Sequence, residues 1–121
     1  MLSDAFRAAA ESKDFSRLEE IFAEEVVFRS PAVFKPYEGR DAVAMILNTV
    51  SLVFEDFRYT AHAETGDTAM LAFSATVGDR ELDGIDLLRF DGEGKVREMA
   101  VYLRPMSGLH ALAEAMQRAL A

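Results

Sequence analysis

The chain has no cysteine among its 121 residues, which excludes disulfides, thiolate nucleophiles and thiolate-held metals together and suits a reducing cytosol. Basic residues are also scarce, 13 Lys and Arg against 21 Asp and Glu, for a formal net charge of -8. Such a surface repels phosphate backbones and anionic lipid, because both need clustered cations; nucleic acid and membrane are therefore not expected partners. No apolar run approaches the roughly 18 residues that cross a bilayer. The opening MLSDAFRAAAESKD lacks the basic start and apolar core of a signal peptide, so a cytoplasmic protein is expected. The two histidines, His62 and His110, stand far apart and in no metal-ligand spacing, so neither a metal nor a cofactor is expected.

What is present is a globular balance, 50% hydrophobic and 28% charged residues, in a length that suits one domain over 1–121 without linker, internal repeat or low-complexity segment. Ser3 can cap a short helix carrying Leu2, Phe6 and Ala10, and Asp14 or Ser16 can cap a second, with Glu19 as capping-box partner. In that second helix Phe15, Leu18, Ile21 and Phe22 share one face. VVFRSP, from Val26 to Pro31, reads as a short strand stopped by proline, and Val43, Ile46, Leu47, Val50 and Phe54 recur at helical spacing after Gly39. From Glu55 the pattern changes to strands separated by Gly66-Asp67, Gly78-Asp79 and Asp91-Gly92-Glu93-Gly94, and a last helix can start from Ser107. Helices followed by an antiparallel meander make an α+β fold with helices on one face of a curved sheet.

Within GIDLLRFDGEGKVREMAVYLRP, Asp86 stands between Ile85 and Leu87. A tight turn at the glycines sets Asp86 opposite Met99, Gly84 opposite Val101, Leu82 opposite Leu103 and Leu88 opposite Arg97, which places the carboxylate in apolar company. The other face carries Ile85, Leu87, Val96, Ala100 and Tyr102, and a homodimer through that outer face is expected. A buried aspartate without a partner responds with a raised pKa; the alternative is a structural pair with Arg97 or Arg104.

The order of elements and the phrases LEEIFAEEVVFRSP, YEGRDAV, GIDLLRFDGEGKV and LRP resemble the nuclear transport factor 2-like superfamily, in particular its ketosteroid isomerase and SnoaL-like polyketide cyclase branch. The resemblance implies a cone-shaped, strongly curved, mostly antiparallel sheet with helices on its concave face. It also implies that Asp86 corresponds to an aspartate that an apolar site keeps protonated. The position of the general-base aspartate holds Ser30, and that of the oxyanion-hole tyrosine holds Phe6. A neutral serine without an activating base cannot abstract a proton beside a carbonyl, so steroid isomerisation by that route is not expected. By the same resemblance the cone is lined by Phe6, Phe22, Phe34, Ile46, Val50, Phe73, Met99, Val101 and Leu103, which suits a flat hydrophobic ligand.

Secondary polar candidates are Ser30, Tyr37 over the pocket entrance as a phenolic donor, and His62 as a proton carrier at the pocket mouth in partnership with Asp86; each also has a plain structural reading. Glu19, Glu20, Glu24 and Glu25 spread over a solvated face, and Gly92 and Gly94 are turn glycines. The leading expectation is a small-molecule-binding domain, an isomerase- or cyclase-like enzyme on a hydrophobic carbonyl compound with Asp86 as pocket acid. Its rival is a non-catalytic, dimeric interaction module whose cone is filled by its own side chains.

Overall fold

Amphipathic periodicity in the first half of the chain and alternation in the second resolve into four helices and six strands. A computed structural model, describing residues 1–120, has the order α1 (Asp4–Ser12), α2 (Leu18–Ile21), β1 (Phe22–Arg29), β2 (Tyr37–Glu38), α3 (Arg40–Val53), β3 (Glu55–Thr65), β4 (Thr68–Val77), β5 (Arg80–Phe90), β6 (Val96–Arg104) and α4 (Met106–Leu120). The strands form one sheet ordered β2-β1-β6-β5-β4-β3, antiparallel throughout except where β1 runs parallel to β6. Helices cover the concave face, α3 against β1 and α4 against β4, β5 and β6. This is the expected α+β cone.

Three local expectations fail in the first helices. The second helix is a single turn, because Phe22 to Phe28 leaves it to pair beside β6, burying Phe22, Val26 and Phe28; the pairing overrides a helical pattern that ran through Phe22. No capping box forms: Arg17 holds the cap position, and the Asp14 carboxylate instead accepts the Ser16 N–H at 3.0 Å. Ser3 does precede α1, but its hydroxyl makes no cap bond and is spent on β3.

The final hairpin is longer than a tight turn. Asp91 Oδ1 accepts the N–H groups of Glu93 (2.9 Å) and Lys95 (3.0 Å), and Gly94 takes a φ of 78° that favours glycine. Phe90 therefore pairs with Val96, and a bulge at Arg97 follows, so that Arg89 meets Glu98. Asp86 lies opposite Val101 rather than Met99, Gly84 opposite Leu103 and Leu88 opposite Met99. The slip is even, so Asp86 keeps its inward face, whereas Val96 sits before the bulge and is buried instead of outward. On the outer face Met70, Ile85 and Tyr102 are exposed.

Packing on the inner face falls into two apolar clusters. One joins Phe6, Phe15 and Phe22 to α3 and β6; the other joins Phe54 and Phe73 to Leu82 and Leu112. No helix among the described residues is long and apolar enough to cross a membrane.

Candidate functional site

Between the clusters the concave face leaves a cavity of about 330 Å³, walled by Phe6, Phe15, Phe28, Ile46, Leu47, Val50, Phe57, Phe73, Met99, Val101, Leu112 and Met116. Asp86 and Tyr59 form a hydrogen-bonded pair in this mostly apolar wall. Asp86 is only 5% exposed, flanked across the ladder by Leu71 and Val101. Burial pushes its carboxyl pKa up to about 7, a shift that the hydrogen bond from Tyr59 partly opposes.

The Tyr59 hydroxyl donates to Asp86 Oδ2 at 2.9 Å. Burial, then the charge of Asp86, holds the Tyr59 phenol well above its ordinary range, so Tyr59 is a donor throughout neutral pH. No described residue hydrogen-bonds Asp86 Oδ1. The second oxygen of the carboxyl is therefore available to a ligand in the cavity: it can donate when protonated and accept when ionised.

Gly84 makes this arrangement possible. A Cβ there would meet Phe73 Cζ at 2.5 Å, Leu103 Cδ2 at 2.7 Å and the Tyr102 carbonyl oxygen at 2.7 Å. Because the position has no side chain, the Phe73 ring can lie over β5 between Tyr59 and the strand, edge-on to the tyrosine.

A second polar cluster faces the same side of the sheet. Arg7 Nη1 lies 3.0 Å from His62 Nδ1; a guanidinium can only donate, so Nδ1 accepts and the imidazole proton sits on Nε2. That nitrogen donates to Ser3 Oγ at 2.6 Å, and Ser3 Oγ donates to Glu64 Oε1 at 2.6 Å. Glu64 also accepts the backbone N–H groups of Leu2 and Ser3, and these bonds, led by the serine's, hold its carboxyl below the usual range. The cluster pins the start of α1 to β3.

The structure brings Ser30, Tyr37, Phe6, Ile46, Val50, Phe73, Met99 and Val101 to the cavity with Asp86. Ser30 Oγ accepts the Ala32 N–H at 3.1 Å, and Tyr37 leans on Phe28 with ring centroids 6.3 Å apart. Four candidates do not line it. Phe22 is buried behind Phe6 and Phe15, Leu103 packs in the second cluster over Gly84, and Phe34 is fully exposed in the loop after β1 because no neighbour covers that segment. His62 is committed to Ser3 and Arg7, and Leu71 lies between it and Asp86, two strand spacings or about 10 Å apart. Nor does Asp86 pair with Arg97 or Arg104, which reach Asp67 and Asp83.

Tyr59 is not among the residues that the sequence singles out, although the alternation of Phe57 and Tyr59 is its available signal. A bulge between Tyr59 and Ala61 lets both Tyr59 and His62 face inward, which strict alternation forbids. Among the described residues no group of three or more His, Asp or Glu side chains gathers as for a metal.

Residues 3–99 match the family described as SnoaL-like domain. No curated protein matches the chain. Among solved structures, a steroid delta-isomerase from Pseudomonas aeruginosa is 45% identical, with 98% of this chain and 88% of that one covered and a TM-score of 0.94. An uncharacterised bacterial protein with a cystatin-like fold, from Silicibacter pomeroyi, is 32% identical over 93% of this chain and 80% of its own, with a TM-score of 0.89. A nuclear transport factor 2-like protein from Mesorhizobium loti, 20% identical over 86% and 88% with a TM-score of 0.76, shares the fold.

Proposed function

This chain belongs to the SnoaL-like domain family, and from that footing we propose that it binds a small hydrophobic carbonyl compound in its cavity and acts on it as an isomerase- or cyclase-like enzyme. The observation that carries the reading is the buried Asp86 carboxyl, bonded to Tyr59 on one oxygen and open to an apolar cavity on the other. A protonated Asp86 donates to the ligand's carbonyl oxygen, while Tyr59 orients the carboxyl and the aromatic walls hold a flat body. The cavity also favours this reading over a cone filled by its own side chains.

Among the described residues Asp86 is the only carboxyl lining the cavity, and Ser30 supplies no base. The likeness to a steroid delta-isomerase makes a steroid bearing a ring ketone and an unconjugated double bond the natural first probe. The expected result is binding that Asp86→Leu weakens about ten-fold, the worth of one hydrogen bond involving an ionisable group, with little turnover of the steroid. Unchanged affinity in Asp86→Leu sinks the proposal. Rapid turnover that survives Asp86→Leu locates the proton chemistry elsewhere.

Two copies pairing through the outer sheet face form a second proposal, motivated by exposed Met70, Ile85 and Tyr102 on that face. Sedimentation should give a dimer that Ile85→Lys dissociates; a monomer at all concentrations excludes it.

A further inference from the structure

The cavity has two ends of different chemistry, and the outer one has a use that Asp86 does not explain. Of the residues around the cavity, Lys13, Ala32, Val33, Gln117 and Leu120 are exposed and so form its mouth. Lys13 is the only cation among the described lining residues. It sits at the C-cap of α1 with φ 57° and ψ 36°, the left-handed conformation where glycine is the unstrained choice. A long basic side chain is therefore held where the backbone favours none.

Lys13 Nζ donates one proton to the Phe54 carbonyl oxygen at 3.2 Å, which caps α3 and fixes the ammonium at the rim. Its two other donors meet no acceptor among the described residues. The nearest acids in sequence are occupied: Glu11 pairs with Arg7 at 3.5 Å, and Asp14 accepts the Ser16 N–H. Lys13 makes no ion pair with any described residue. Gln117 also lines the mouth and adds an amide donor, and the other exposed lining residues, Ala32, Val33 and Leu120, are apolar.

We infer that the ligand is an amphipathic anion, an apolar body whose acidic group stays at the mouth on Lys13 while its inner end reaches Asp86 and Tyr59. The inference rests on the reading of the cavity as a ligand site, and it narrows the substrate class to hydrophobic carbonyl compounds that carry a carboxylate, sulfate or sulfonate. With a net charge of -8 the long-range field of the protein disfavours any anion, so a preference for one reports local contact at the mouth.

The test compares two fluorescent probes with the same ring frame, anilinonaphthalene sulfonate and neutral phenylnaphthylamine. The protein should bind the sulfonate about five-fold tighter, as expected of one partly exposed charge pair. Lys13→Gln keeps a donor for the Phe54 carbonyl but no charge; it should abolish the preference and leave the affinity for the neutral probe unchanged, while Lys13→Arg retains it. Equal affinities in the unaltered protein, or a preference that survives Lys13→Gln, overturn the inference and leave the cavity reading standing. Failure of both probes to bind, or binding of both that a cavity-filling Val50→Phe leaves intact, overturns the cavity reading and the inference with it.

Discussion

Two polar clusters face the same side of one sheet, and they differ in how completely they are satisfied. In the Ser3, Arg7, His62 and Glu64 cluster the serine hydroxyl both accepts and donates, both histidine nitrogens are bonded, and Glu64 receives three hydrogen bonds. In the Asp86 and Tyr59 pair the carboxyl is as deeply buried as the core around it, yet it receives one bond. A closed network of this kind fixes a helix to a strand. An open one beside a cavity is maintained at a cost to stability, which points to a ligand that completes it.

The sharpest way to break this contrast is the pH dependence of stability. Asp86 has a folded-state pKa raised from 3.8 to about 7, so the folded protein holds a proton that the unfolded chain releases. The contribution of this group is fully present below pH 3.8 and is lost as pH rises to about 7, a loss on the order of 4 kcal/mol at most. The lowered carboxyls of Asp14, Glu64 and Asp91 act in the opposite sense, gaining stability above their ordinary values and losing it as pH falls below them, so their effect lies in the acid range. Denaturant unfolding of Asp86→Asn against the unaltered protein isolates the Asp86 contribution. The stability gap should widen in favour of Asn from pH 4 to 7; a gap that stays flat means an Asp86 already compensated, and the contrast between the clusters disappears.

Next in size is Gly84→Ala. The added methyl must displace the Phe73 ring, the Leu103 side chain or the β6 backbone, at a cost of about 2 kcal/mol from overpacking. Its melting temperature should fall, and the altered Phe73 should also reduce ligand affinity. An unchanged stability shows that Phe73 has room to move and does not frame the carboxyl.

Ser3→Ala strikes the closed cluster. It leaves the His62 Nε2 proton without its partner and removes one of the two hydrogen bonds to Glu64 Oε1, for a loss of about 1 to 2 kcal/mol. Amide exchange in α1 should quicken while the pH dependence tied to Asp86 persists, which separates the clusters by experiment. A change in the Asp86 titration on Ser3→Ala would make them one network.

How much of this was readable beforehand follows from the same geometry. Asp86 stood out because a charged residue interrupts an apolar strand face, and its inward direction survived a wrong register, since one extra loop residue and one bulge residue cancel in parity. Helical spacing likewise put Ile46 and Val50 on one apolar helix face, and the family resemblance put them on the cavity wall, where they lie. Phe34 and Phe22, which the same resemblance implies on the wall, lie elsewhere because the loop after β1 and the early start of β1 decide their depth. The pairing of Tyr59 with Asp86 depends on a bulge in β3 and on an empty position at Gly84, both set by contacts distant in sequence.

The smallest effect discriminates most finely, because Arg7 links the clusters: its guanidinium donates to His62 and lies 5.3 Å from the centre of the Tyr59 ring. Tyr59→Phe keeps that ring and removes only the hydroxyl, so the contact with Arg7 and the anchoring of α1 should persist. The hydroxyl favours the ionised Asp86, and without it the carboxyl pKa should rise further above about 7. The pH at which a carbonyl ligand loses affinity should move up with it, since the protonated acid is the form that donates. A pH profile that shifts with stability unchanged assigns Tyr59 to tuning the acid. A fall in stability with an unshifted profile assigns it to packing, and Asp86 is then left to set its own proton by burial alone.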